Sequence, residues 1–151
     1  MERKRLFGLQ ELESSQQTGL DIYTSLATMQ TFERLRDIVS VLLEEGINVV
    51  LDSTFLHFDV RQSFYKLAEE KSVTVHIVSC QLDAATLRQR LMDREKAKDD
   101  ASEANVAIME QQLGAQEALT NNEKRRTYFV DMKDGVKALD GVLKELKREK
   151  K

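Results

Sequence analysis

The chain has 151 residues, which suits one domain with a hydrophobic core, and the single cysteine excludes an intramolecular disulfide. Charged residues make up 32% and hydrophobic residues 41% of the sequence, and the net charge is -3, which argues against general nucleic-acid binding. No apolar run approaches the ~20 residues of a membrane span and no signal peptide opens the chain, so we expect a single cytoplasmic domain over residues 1–151 that contacts no membrane.

The first half of the chain predicts two helices separated by a polar loop. The first is a short helix from Leu6 to Leu12, and the loop covers Glu13 to Tyr23. Apolar residues then recur at helical spacing behind a possible cap at Thr24 or Ser25. Gly46 closes this long helix as a left-handed residue.

The next segment is a predicted buried strand that ends in a carboxylate. It runs from Ile47 to Asp52 as a series of mostly apolar residues and is followed at once by Ser53 and Thr54. A carboxylate at the tip of a parallel strand can hold a magnesium-bound water in phosphoryl-transfer enzymes. The alternative is that Asp52 caps the turn after the strand.

The second half repeats the alternation of helices and strands. The predicted elements are a helix capped by Asp59, a strand from Val73 to Ser79, a helix from Asp83 to about Lys98, a helix capped by Ser102, a turn at Asn121-Asn122, a strand from Thr127 to Val130 and a helix holding Val136 to Leu146. Such alternation favours an α/β fold with a parallel sheet and helices on its faces. Chemistry in such sheets lies beyond the carboxyl ends of the strands, here at Asp52, at Cys80-Gln81 and at Asp131.

Arginines provide the next candidates. Arg88, Arg90 and Arg94 precede a polar stretch with the character of a lid, and Arg90 and Arg94 share a helix face. Guanidinium groups match phosphate geometry, so this set could close over a triphosphate. The alternative is a charged, solvent-facing helix. Arg61 follows Asp52 closely and could contact a phosphoryl acceptor, or could be a surface arginine.

Three other reactive residues complete the candidates, and neither of the two histidines has a partner at motif spacing. His57 lies just past the predicted strand, and His76 lies within another. Both are interpreted as structural. Cys80 is interpreted as a small buried apolar residue rather than a nucleophile.

Taken in order, five segments of the chain resemble a known family. They are Glu2 to Leu9, Ile22 to Thr24, Val49 to Leu56, Leu87 to Arg94 and Asp100 to Ala104. The family is the AAA-type P-loop kinase-like ATPase domain of bacterial proteins, and the wider polynucleotide-kinase, gluconate-kinase and zeta-toxin-like group is similar.

The resemblance implies ATP and Mg²⁺ as cofactors and either phosphoryl transfer to an unidentified acceptor or ATP hydrolysis. It implies that Asp52 contacts Mg²⁺ indirectly and that Arg90 and Arg94 act from the lid. The remaining implied nucleotide or substrate contacts are Ser53, Thr54, Arg61, Arg88, Arg3 and Lys4.

The family's phosphate-binding motif, G-x-x-x-x-G-K-[ST], is not in the sequence, since none of the six glycines precedes a lysine. By resemblance, that motif and the catalytic acid would precede the segment from Glu2 to Leu9. The expectation is therefore the C-terminal portion of such an ATPase: a partial P-loop NTPase fold, three-layer α/β/α, with about three parallel strands and a helical lid, inactive or weakly active alone.

The missing first strand would leave a gap beside the strand from Ile47 to Asp52. Open strand edges favour association, so we expect a homodimer or an N-terminal half supplied in trans. The alternative to an enzyme is a non-catalytic interaction module on a degenerate kinase scaffold. An RNA-binding protein is disfavoured by the negative charge.

Overall fold

The structure is a computed structural model that describes residues 2–10, 24–97 and 106–149. In these ranges the elements are helix α1 (Glu2–Leu6), helix α2 (Ser25–Glu44), helix α3 (Phe58–Glu70), strand β1 (Ile77–Gln81), helix α4 (Ala84–Ala97), helix α5 (Val106–Ala115), helix α6 (Asn121–Lys124), strand β2 (Thr127–Asp131), a 3₁₀ segment (Met132–Leu139) and helix α7 (Asp140–Glu149). No helix among the described residues is both long and apolar enough to cross a bilayer. The predicted loop from Glu13 to Tyr23 and the cap at Ser102 lie outside the described residues.

A small parallel sheet confirms the predicted α/β class. Strands β1 and β2 pair in parallel, from Ile77 opposite Thr127 to Gln81 opposite Asp131. The strand predicted from Thr127 to Val130 is confirmed. The strand predicted from Val73 to Ser79 begins late, because the Val73 amide still donates to the Ala68 carbonyl at the end of α3 (2.9 Å).

The strand predicted from Ile47 to Asp52 is not formed, so the described sheet has two strands rather than about three. The Ile47 amide donates to the Leu42 carbonyl of α2, and within the described ranges no backbone hydrogen bond involves residues 48–54. Val50 is 93% exposed. A β-branched run becomes a strand only when a neighbouring strand supplies the ladder, and the part of the chain that the structure describes offers none to this segment.

Some of the predicted helix ends are confirmed, and others are wrong. The first helix ends at Leu6 instead of beginning there, and Gly8 follows with φ 72°. For α2 the prediction is confirmed at both ends: the Thr24 hydroxyl accepts the Ala27 amide (3.1 Å), and Gly46 has φ 72°. Asp59 does not cap α3, because the helix begins two residues earlier, after His57.

Two predictions near the C-terminus are also corrected. Asn121 and Asn122 begin the short helix α6 rather than a turn, because Thr120 caps it. The predicted final helix, from Val136 to Leu146, is divided: its first four residues belong to the 3₁₀ segment, and α7 begins at Asp140. Gly135, with φ 63° and ψ -142°, lies just before the predicted helix and is not helical. A left-handed glycine of this kind breaks the helical hydrogen-bond ladder.

The core near the candidate site is aromatic and joins α2 to α3. The ring of Phe32 lies 5.1 Å from that of Phe55, and Phe55 lies 5.3 Å from Phe64. Phe32, Val39 and Leu67 are buried. Helix α1 packs on α2, α4 on α5, and the 3₁₀ segment on both β2 and α7. The aromatic cluster therefore anchors the loop that follows residues 47–52.

Candidate functional site

Asp52 and its hydroxyl neighbours lie on an exposed segment without regular secondary structure. The side chains of Asp52, Ser53 and Thr54 are all exposed, and no described residue makes a hydrogen bond or ion pair with them. Asp52 therefore does not cap a turn here. An exposed carboxylate without a competing cation is available to a solvated metal ion.

The loop after Asp52 carries a strained residue. Phe55 has φ 42°, a left-handed conformation that is uncommon for a bulky residue. Its ring is held by Phe32 and Phe64, and its carbonyl accepts a hydrogen bond from Arg61 Nη1 (3.0 Å). Strained backbone of this kind persists only where surrounding contacts over-determine it, and it clusters at functional sites.

Arg61 is buried, with 6% of the residue exposed, so it is not the surface arginine considered from the sequence. Its guanidinium group donates to the Phe55 and Leu56 carbonyls (both 3.0 Å) and to the Ala118 carbonyl (3.4 Å). Nε donates to Glu123 (2.6 Å). Four of the five N–H groups of Arg61 already have protein acceptors, which leaves one for a ligand. The contact of Arg61 with a phosphoryl acceptor stays a prediction.

Glu123 completes this buried pair and is 2% exposed. Its second oxygen accepts the Thr120 amide (2.8 Å), and its own amide donates to the Thr120 hydroxyl (3.2 Å). Burial, the largest single influence, raises the pKa of Glu123, but hydrogen bonds from Arg61 and Thr120 outweigh it and hold the pKa below its ordinary value. The carboxylate therefore stays ionised and compensates the buried guanidinium.

Glu117 caps helix α3 from outside that helix. The Phe58 amide donates to Oε2 (2.6 Å), and the His57 ring lies 3.2 Å from Oε1. The Glu117 amide donates to the Leu56 carbonyl (3.0 Å). The Phe58 hydrogen bond, and then that from His57, lower the pKa of Glu117. His57 thus has a structural contact, as the sequence indicated.

The arginines of α4 are positioned by other elements. Arg88 binds Glu110 on α5 (2.8 Å), and Arg90 donates to the carbonyls of Met132 and Lys133 (3.1 and 3.2 Å). Arg94 is half-buried on the same helix. Both Arg88 and Arg90 are exposed, so their predicted lid role stays a prediction.

At the carboxyl ends of the two strands, the groups present are Asp131, Asp83 and Lys133. Asp131 follows β2 and accepts the Lys133 amide (3.0 Å). Asp83 caps α4, as predicted: it accepts the Thr86 amide (2.9 Å) and hydroxyl (2.7 Å), and these bonds lower its pKa. This edge is polar and exposed, but each acid already has a protein donor.

The remaining predicted residues lie elsewhere. Arg3 on α1 donates to the Thr28 hydroxyl of α2 (3.1 Å), and Lys4 on α1 is buried. Cys80 is exposed, which corrects its interpretation as a buried residue. The His76 ring lies 5.8 Å from that of Tyr128.

Sequence reasoning missed two carboxylates that organise the loop. Glu123 has a readable signal, because Thr120-Asn121-Asn122-Glu123 is the T-x-x-E pattern of a capping box, and the structure forms one. Glu117 has no local signal, because its partners lie 59 and 60 residues away. Among the described residues, no three His, Cys, Asp or Glu side chains form a metal cage.

Comparison with known families decides the class of the domain. No curated protein and no solved structure matches the chain. The sequence model of the AAA domain family matches residues 1–119, well over half of the chain. The chain therefore belongs to the AAA domain family, as a P-loop kinase-like nucleotide-binding domain.

Proposed function

We propose that the chain binds ATP with Mg²⁺ through Asp52 and takes part in phosphoryl transfer or ATP hydrolysis, with very low affinity and activity by itself. P-loop kinase-like domains generally bind ATP and Mg²⁺. The observation that supports the proposal here is the Asp52 carboxylate, which is exposed and has no ion pair with a described residue. Bound Mg²⁺ would offset phosphate charge, and Asp52 would hold it through a water molecule.

We expect low affinity because the described residues offer few groups that could bind phosphate. The sequence contains no G-x-x-x-x-G-K-[ST] loop, whose backbone amides would hold the phosphates. Arg61 already donates four hydrogen bonds to protein acceptors, and Arg88 and Arg90 are each bonded to protein groups. Only weak, poorly preorganised contacts to a triphosphate are therefore left.

Calorimetry with ATP and Mg²⁺ tests the proposal on the 151-residue chain. We expect binding weaker than micromolar that disappears in Asp52→Ala. The matched control is Asp59→Ala, because Asp59 is also exposed and lies seven residues further on, in α3. Weak binding that survives Asp52→Ala but not Asp59→Ala would contradict the role of Asp52. Micromolar binding would contradict the predicted weakness.

The exposure of residues 48–54 favours a second candidate, a non-catalytic interaction module. Within the described ranges this backbone has no hydrogen bonds, and Val50 is almost fully exposed. Unpaired β-branched backbone can accept a strand from a second copy or from a segment supplied in trans. The candidate predicts a dimer at micromolar concentration that Val50→Lys dissociates, and no effect of Asp52→Ala on nucleotide titrations.

A further inference from the structure

The loop between Asp52 and helix α3 is held by contacts that come from far along the chain. Leu56 accepts hydrogen bonds from the Glu117 amide and from Arg61, both at 3.0 Å. Phe58 donates to the Glu117 carboxylate (2.6 Å). The loop is thus bonded on both its carbonyl and its amide sides to residues that follow α5.

A second group of contacts, which shares Arg61 with the first, fixes the same loop from α3. Arg61 bonds the Phe55 carbonyl, and its own position is set by Glu123 and by the Ala118 carbonyl. The Phe55 ring is packed against two other aromatic rings while its backbone has φ 42°. A left-handed Phe is costly, so the loop would relax if these contacts were removed.

By contrast, the residues immediately before the loop have no such support. No described residue bonds to the backbone of residues 48–54. The position of Asp52 therefore depends on the first well-held residues on each side. These are Ile47, bonded to the end of α2, and Phe55.

We infer that Glu117, acting with the Arg61–Glu123 pair, is a positioning residue: it clamps the loop of residues 55–58 and so sets where the Asp52 carboxylate is presented. The clamp itself does not depend on nucleotide binding. Its consequence for a ligand of Asp52 rests on the proposed function.

Amide hydrogen exchange without nucleotide tests the clamp. In Glu117→Ala we expect exchange of the Phe58 amide to rise about tenfold, the effect of losing one hydrogen-bond acceptor. Cleavage by chymotrypsin after Phe55 should rise with it. Glu117→Gln keeps an acceptor oxygen in place and should recover most of the protection, which a loss of general packing would not explain.

The matched control is Glu110→Gln on α5, a nearby exposed carboxylate that bonds Arg88 and does not touch the loop. It should change Phe58 exchange by less than about twofold. Unchanged Phe58 exchange in Glu117→Ala would overturn the clamp, and so would an equal rise across all helices. Absence of ATP binding by the unmodified chain, together with the expected rise of Phe58 exchange in Glu117→Ala, would count against the proposed function alone.

Discussion

Two adjoining stretches of the chain, residues 47–54 and residues 55–61, contrast in a way that their composition does not suggest. The first is the apolar run with the strongest strand pattern, yet Val50 is 93% exposed and residues 48–54 have no backbone hydrogen bond among the described residues. The second contains a charged arginine, yet Arg61 is 6% exposed and bonded on four N–H groups.

The contrast shows that burial depends on partners more than on residue type. A strand needs a neighbouring ladder before its side chains can be covered, whereas a guanidinium group can be buried once a carboxylate and carbonyls surround it. Substitutions in residues 55–61 and their partners should therefore change the free energy of unfolding more than substitutions in residues 47–54.

The largest expected effect is on the buried pair. Glu123→Ala leaves the Arg61 guanidinium buried without its carboxylate, which should cost about 3–5 kcal/mol in the free energy of unfolding measured by urea titration. The exposed Arg88–Glu110 pair is the control, and Glu110→Ala should cost under about 1 kcal/mol. Equal losses in both variants would mean that Arg61 is not held as the structure shows.

Two matched valines test the apolar side of the contrast. Val130 on β2 is 6% exposed, so Val130→Ala should destabilise the chain by about 1–3 kcal/mol, whereas Val50→Ala should fall within about 0.5 kcal/mol of zero. Urea titration of both variants at one protein concentration measures this. A large loss in Val50→Ala would show that a partner covers residues 47–54 in solution.

Acid should weaken the held stretch in a defined direction. The pKa values of Glu117 and Glu123 are lowered in the folded chain, so their stabilisation is fully present above the ordinary glutamate pKa and is lost as pH falls through the folded values. The urea midpoint should therefore drop as the pH falls below the ordinary glutamate pKa. Glu117→Gln should flatten part of this slope, and an unchanged slope would contradict the role of Glu117.

The smallest expected effect is on Asp52. Because no described residue makes a hydrogen bond or ion pair with its side chain, Asp52→Ala should change the free energy of unfolding by less than about 0.5 kcal/mol. Thermal unfolding without ligand measures it, with Asp59→Ala beside it. A loss of about 2 kcal/mol would reveal an interaction of Asp52 that the described structure does not contain. Asp52 would then be held by the protein in the same way as residues 55–61.

Much of the fold could be predicted from short-range sequence patterns. Thr24, Asp83 and Gly46 end or begin helices as predicted, because a hydroxyl or carboxylate cap and a left-handed glycine act over three or four residues. The strand from Thr127 to Val130 was also predicted from its local sequence, and it forms. The predicted strand from Ile47 to Asp52 and the predicted cap at Asp59 were wrong, because the outcome at each place depends on a segment distant in the chain.

The sequence by itself determined the class of the domain: alternating helices and strands, with ordered motifs that the AAA domain family match confirms. It also singled out Asp52 as an acid next to two hydroxyls. Only the tertiary structure decided that residues 47–52 form no strand and that Arg61 is buried against Glu123. The reason is that hydrogen-bond partners 57 to 62 residues away determine whether the loop after Asp52 is held, and local sequence carries no record of them.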